Sequence, residues 1–269
     1  MKKFSIIIIV FLALTSVAFA QKKENKRKKK KEAVENTQNS GKVLLRQNLK
    51  KGDIYFQTVD SDQKILVMGM EMPTKQTFTF KNEVIDIESS GNIISEMTYE
   101  KIYLKQSNPM MGDLEFDSED PKKQSEQFAM LKDLKGKKVT ITTTPNGKVV
   151  QVSDESIKQA MGGSNNEFPD TPVGVGDTWE RTSETSNQIG KMVTTTTFKV
   201  IERKDGIMII ETNSKVSQEG KDAGTQTGKM SIDEKTGMLI ENTINQKLNI
   251  TIQGTEAQLD SVTKITTKR

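Results

Sequence analysis

Met68, Met70 and Met72 stand at alternate positions of the run Met68-Gly69-Met70-Glu71-Met72, and alternate side chains of an extended strand share one face. Three thioethers so placed suit a soft ion such as Cu(I). Methionine more often fills apolar cores or lines adaptable ligand surfaces. That second reading is adopted here: Met68, Met70 and Met72, with Phe128 and Leu131, are expected to line a site for an apolar ligand, with no metal and no cofactor. The chain has no histidine and no cysteine. It therefore lacks the parts of Ser-His-Asp and Cys-His nucleophiles, of His or Cys zinc sites, and of the commonest general base. Carboxylates, lysines and hydroxyls remain. Asp53 and Asp177 are the pair that could act as acid and base, but each follows a glycine at a strand entrance, where aspartate accepts backbone N–H bonds in a turn. The turn role is preferred and no catalytic residue is assigned. The acidic stretches 60–62 and 113–120 lack the spacing and terminal Glu of an EF-hand.

The elements that must position these residues are organised around Phe168-Pro169-Asp170-Thr171-Pro172-Val173-Gly174-Val175-Gly176-Asp177-Thr178-Trp179, which holds the only tryptophan. The stretch Leu49-Lys50-Lys51-Gly52-Asp53-Ile54-Tyr55 echoes its end, so that Gly52, Asp53 and Tyr55 answer Gly176, Asp177 and Trp179. Each copy opens a run of strand-like sequence, and the order of strands and turns that follows is similar, which predicts a duplication. The first unit is placed at 43–163 and the second at 168–269.

Alternating apolar positions bounded by turn residues predict antiparallel strands through most of both units. In the first, Ile54, Phe56 and Thr58 mark one face of a strand; runs 78–87 and 93–104 follow, divided by Ser89-Ser90-Gly91-Asn92. Pro145-Asn146-Gly147 predicts a hairpin because Asn-Gly tolerates positive φ. In the second, Asp233-Glu234-Lys235-Thr236-Gly237 predicts the corresponding turn, with Asp233 and Gly237 as its key residues; the polar stretch 217–228 before it is expected to be a link. The rhythm breaks at 118–136, where Asp120 as cap, Pro121 at the first position, Phe128, Leu131 and Leu134 at helical spacing, and Gly136 as terminator predict an amphipathic helix around 120–135. A short helix is expected around 154–161. The fold class is thus mainly β: two similar antiparallel units forming curved sheet or sheets, with one amphipathic helix.

Composition agrees. Hydrophobic residues make up 33% of 269, which suits antiparallel sheets with one wetted face better than buried parallel ones. Lys2 and Lys3, the apolar core Ile6 to Leu14, and Ala18-Phe19-Ala20 have the three-part layout of a secretory signal, predicting cleavage after Ala20. That core is too short to span a bilayer. With no cysteine, no lipid-modified cysteine can anchor the product. The stretch 21–31 then carries eight basic residues and one acid, so 21–42 is expected to be a disordered basic tail. The whole chain reads +4, yet the part after this stretch is acidic. The tail is read as a solvated leader or as an electrostatic tether to an anionic envelope polymer or membrane surface. Nucleic acid is not expected as a partner, since aromatic residues are only 5% and stacking platforms are scarce.

Three runs, 45–53, Phe168-Pro169 to Trp179, and Gly228-Lys229-Met230-Ser231-Ile232-Asp233 to Gly237, resemble those of a family of exported proteins, mostly from Gram-negative bacteria, known as domain of unknown function six-two-six-three. The resemblance implies export and a β-rich fold, and carries no functional residue. The function expected is a non-enzymatic, periplasmic or extracellular binding or envelope-associated module, with an apolar ligand such as a lipid favoured. The alternatives are an adhesion or matrix protein tethered by its basic tail and, less favoured, a carboxylate enzyme. Any ligand site is expected between the two units.

Overall fold

The computed structural model describes residues 41–109, 112–155, 157, 167–187 and 189–269. The signal-like start, the tail up to residue 40, and most of the helix expected at 154–161 lie outside the described residues; of that helix, Glu155 and Ile157 are helical.

Twelve strands form one antiparallel sheet. In chain order they are β1 (Ile54–Val67), β2 (Met70–Ile87), β3 (Ile93–Asn108), β4 (Gly112–Asp117), β5 (Lys138–Thr143), β6 (Val149–Val152), β7 (Thr178–Asn187), β8 (Gly190–Lys204), β9 (Ile207–Gln218), β10 (Lys221–Asp233), β11 (Leu239–Ile252) and β12 (Thr255–Lys268). The spatial order is β6-β5-β3-β2-β1-β12-β11-β10-β9-β8-β7, with β4 also on β3. The second half is a meander of neighbours in sequence; the first is one too, except that β5 pairs with β3 past β4. The halves join where β1 pairs with β12, Phe56 to Lys268 through Val67 to Ala257. The two expected units thus build a single sheet, open between its outer strands β6 and β7.

One face of that sheet is buried. On β1 the inward positions are Val59, Ser61, Gln63 and Ile65, alternating with exposed ones, as a pleated strand with one wetted face requires. Ile65 of β1 shares an apolar cluster with Val216 of β9 and Ala223 of β10, although β12 and β11 lie between them in the sheet. That cluster runs from strand to strand through Leu259 and Leu248; the curvature of the sheet shows instead where Ile141 of β5 and Ile232 of β10, far apart in strand order, line one cavity. Ile54 and Phe56 share one face of β1, as the alternation implies, and that face is the wetted one. Both point outward, each 42% exposed, because the inward register is set by Tyr55, Gln57 and Val59.

The duplication is visible bond for bond. In the first half Lys50 N–H donates to Asp53 Oδ2 at 2.8 Å, Gly52 N–H to Val84 O at 2.8 Å, and Val84 N–H to Asp53 O at 2.9 Å. In the second, Gly174 N–H donates to Asp177 Oδ2 at 2.8 Å, Gly176 N–H to Val200 O at 2.8 Å, and Val200 N–H to Asp177 O at 3.0 Å. Gly52 and Gly176 have φ of 88° and 92°, a region open to glycine and strained for other residues. Even the bulge is repeated, between Val84 and Asp86 in β2 and between Val200 and Glu202 in β8. Both aspartates therefore do what their turn chemistry implies.

The halves differ beside their third strands. Along β9 runs one continuous strand, β10, so the stretch 217–228, expected as a link, is strand on both sides of the tight turn Glu219-Gly220. Beside β3 the same place is shared by β4, opposite Tyr103–Asn108, and β5, opposite Ile93–Thr98. Between β4 and β5 sits the helical insertion. It is shorter and tighter than expected: a 3-10 helix over Glu126–Leu134, kinked at Phe128. Asp120 instead closes a turn, accepting from Lys122 N–H at 3.0 Å. Phe128 and Leu131 are the buried residues, three apart as a three-residue turn demands. They join Phe78, Phe80, Tyr99 and Phe116 in the core of the first half. A second core beneath β8 to β10 includes Val200, Met208, Ile210 and Met230.

Candidate functional site at the joint of the sheet

The inner face between the two halves holds a cavity of about 140 Å³. Its floor is the joint itself. Tyr55 of β1 lies opposite Asn82 of β2, and Gln57 of β1 opposite Thr267 of β12, so four polar side chains meet on three adjacent strands. Met97, Ile141 and Thr143 line it from β3 and β5, and Ile232, Met238 and Leu239 from the second half. Gln47, Leu49 and Phe168 complete the lining. The lining contains no Asp, Glu, Lys or Arg. Asn82 is 8% exposed, and its Nδ2 has no hydrogen-bond partner; neither has the buried Oγ1 of Thr267. Burial pushes the Tyr55 hydroxyl up to about 12, because an enclosed phenolate would lose its hydration.

Gln47 and Leu49 belong to an extended strap, residues 41–50, that crosses the joint. Val43 forms a reciprocal bridge with Val173, at 2.8 and 2.9 Å. Gln47 N–H donates to Pro145 O at 2.6 Å and Asn48 N–H to Thr236 O at 2.9 Å, so consecutive strap residues clasp the corresponding turns of the two halves. Leu45 is fully buried in the second-half core and Leu49 packs with Val84 and Ile93. Arg46 Nη1 donates to Pro169 O at 2.8 Å. Lys42, at the end of the expected tail, pairs with Asp177 at 2.8 Å, and the Lys42 ammonium, followed by the Gly174 N–H, holds that carboxyl below its ordinary range. Asp233 is likewise lowered, chiefly by the Thr236 hydroxyl it accepts from at 2.6 Å, and this turn presents Thr236 O to the strap. Gly237 must be glycine for the strap to pass: a Cβ there would sit 2.2 Å from Arg46 O.

The structure disperses the residues expected to line a ligand site. Met68 occupies the β1–β2 turn with φ 53° and is 75% exposed, so the three thioethers do not share a strand face. Met70 is half-buried at the start of β2, and Met72 packs on the apolar cluster around Ile65 and Leu259. Phe128 and Leu131 fill the core of the first half. Tyr55 of the repeated motif and Gly237 of the 233–237 turn line the cavity, while Trp179 stacks on Phe198 with centroids 5.0 Å apart. The polar floor was missed because Gln57, Asn82 and Thr267 belong to no local motif; the signal for Gln57 was the phase of β1, where it alternates with Tyr55 and Val59. A polar row across the same inner face was also missed. Gln106, Thr74, Gln63, Ser261, Gln246, Gln226, Ser214 and Thr196 are successive register partners from β3 to β8. Some bond one another, as Thr196 Oγ1 does Ser214 Oγ at 2.8 Å, so this row satisfies itself, unlike the floor of the cavity.

Among the described residues there is no group of acidic side chains placed to hold a metal ion, and no helix long and apolar enough to cross a membrane. No curated protein matches the sequence. A family model described as a family of unknown function (DUF6263) matches residues 90–154 and again 151–239. Among solved structures, the chain is similar to one entitled "Lipid-protein interactions in lipovitellin", with TM-score 0.54 and 10% identity over 82% of this chain. The match spans about a quarter, 25%, of the lipovitellin chain. The likeness to DynF of the dynemicin biosynthesis pathway of Micromonospora chersina covers 94% of both chains at 9% identity, but its TM-score of 0.25 carries no argument.

Proposed function

We infer that this chain, which belongs to the DUF6263 family of unknown function, is a non-enzymatic binding module whose apolar ligand sits at the joint of its curled sheet. The observation that carries this reading is the cavity of about 140 Å³, walled by Met97, Ile141, Ile232 and Leu239 and crossed by a strap rather than filled by side chains. A partly closed, mostly apolar concavity beside unpartnered polar atoms is the kind of surface that takes a small ligand. The lipovitellin match supports the reading at the level of fold, since that structure concerns lipid-protein interactions. Export fits the signal-like start, Lys2 to Ala20.

Native mass spectrometry of the chain recovered from the bacterial periplasm or medium, before and after incubation with small apolar molecules, tests the proposal. A one-to-one adduct is expected, and Ile141→Trp, which fills the cavity, should abolish it while the protein stays folded. An adduct that survives this substitution, or none with any molecule offered, overturns the reading.

A further inference from the structure

The lining of the joint cavity restricts the chemistry of what it can hold. Asn82 Nδ2 is a donor on a side chain 8% exposed, and it lacks an acceptor. Thr267 Oγ1, on the neighbouring side of β1, lacks a partner too. A buried polar group without a partner costs free energy that a bound group of the right kind would recover. The cavity has about the volume of one that stays dry and binds benzene when lined only by apolar groups, so one ring nearly fills it. Its polar groups are all neutral, and a buried charge without a counter-charge is strongly disfavoured.

Resting on the binding reading above, we propose that the ligand is a small, uncharged, ring-sized molecule with a hydrogen-bond acceptor, such as an amide or ketone carbonyl, set against Asn82 Nδ2. The ring lies among Met97, Ile141 and Leu239; the carbonyl points to the floor. A long acyl chain does not fit while the strap is in place, because the strap's own Leu45 and Leu49 occupy the inner face.

Three near-isosteric probes test this on the full chain: toluene, benzamide and benzoate, titrated while the methyl resonances of Met97, Ile141 and Leu239 are followed by NMR. Benzamide is expected to bind at least about tenfold more tightly than toluene, the worth of one buried hydrogen bond, with benzoate weaker than both. Asn82→Leu should erase the preference for benzamide and leave toluene binding intact. Thr267→Val, which removes a hydroxyl without a partner on the far side of β1 from Asn82, should leave both the fold and the preference unperturbed. Benzoate binding as tightly as benzamide, or a benzamide preference unchanged in Asn82→Leu, overturns the ligand class. Toluene and benzamide binding equally in the parent protein would overturn the class while leaving the binding module in place; failure of all three probes to shift the lining methyls would remove the binding reading with it.

Discussion

Replacing Leu45 by alanine tests whether the strap is part of the cooperative fold. Leu45 is fully buried among Phe168, Val173, Phe198 and Met208, while its neighbour Leu44 is 44% exposed. The two substitutions delete the same atoms one position apart and exchange a core contact for a solvent one. Core Leu→Ala changes cost about 2–5 kcal/mol depending on how far the site can collapse. The strap is a single extended segment that can settle inward, so a value near the lower middle, about 3 kcal/mol, is expected for Leu45→Ala. Leu44→Ala should stay within about 0.5 kcal/mol of the parent. At about 2–4 °C per kcal/mol for a domain of this size, Leu45→Ala lowers Tm by about 6–12 °C. Urea unfolding followed by fluorescence of Trp179, the only tryptophan, reads this directly, because its ring stacks on Phe198 of the same cluster. Equal small shifts in both variants would refute the reasoning. So would an unchanged Trp179 midpoint accompanied by fast hydrogen exchange at Val43 and Val173, since the strap would then open on its own.

Gly237→Ala should loosen the strap, because the new Cβ meets Arg46 O at 2.2 Å and the backbone sits at φ 65°. Gly52→Ala, with φ 88° and open space around the Cβ, should cost only the roughly 1–2 kcal/mol of left-handed strain, and thermal melts of the two variants give the comparison. Asp233 is held below the ordinary 3.8, so the stability it contributes is present above that value and lost as pH falls through its lower folded value; Asp233→Asn should flatten this acid limb in melts between pH 5 and 2. The hydroxyls of Tyr55 and Tyr99 are raised from 10.0 to about 12 by burial. Raised values stabilise the fold below 10 and lose that contribution as pH climbs toward 12, so phenolate absorbance should rise together with unfolding in that window, and Tyr55→Phe should weaken the dependence.

The turns were legible because turn chemistry is local. Gly52-Asp53 and Gly176-Asp177 carry both the positive φ and the side-chain acceptor within four residues, and their repetition revealed the duplication. Strand phase was harder to read. Ile54 and Phe56 look like an inward face by apolarity, but the inner face at that end is polar, with Tyr55 and Gln57 facing Asn82 and Thr267. Apolar alternation locates strands well; it identifies the buried face only when the interior is apolar, and this interior is not uniformly so. Met68-Gly69-Met70 read as strand because its glycine lay between methionines, although a two-residue turn with positive φ at both Met68 and Gly69 is how the long β1–β2 hairpin closes. The Phe128 and Leu131 spacing announced a helix, whereas three-residue periodicity favoured the 3-10 form. The cavity could not be read locally, since its floor depends on β1 meeting a strand some two hundred positions away.

That meeting sets the order in which the molecule can be completed. β12 is not at an edge; it is inserted between β1 and β11, so the centre of the sheet is the last part of the described chain to be synthesised. Until Thr255–Lys268 emerges, β1 and β11 each present an unpaired row of N–H and C=O groups, an invitation to wrong partners. Contacts this distant in sequence also close slowly. A chain whose middle is sealed by β12 cannot finish its sheet before that strand is made, whatever order the rest of it assumes.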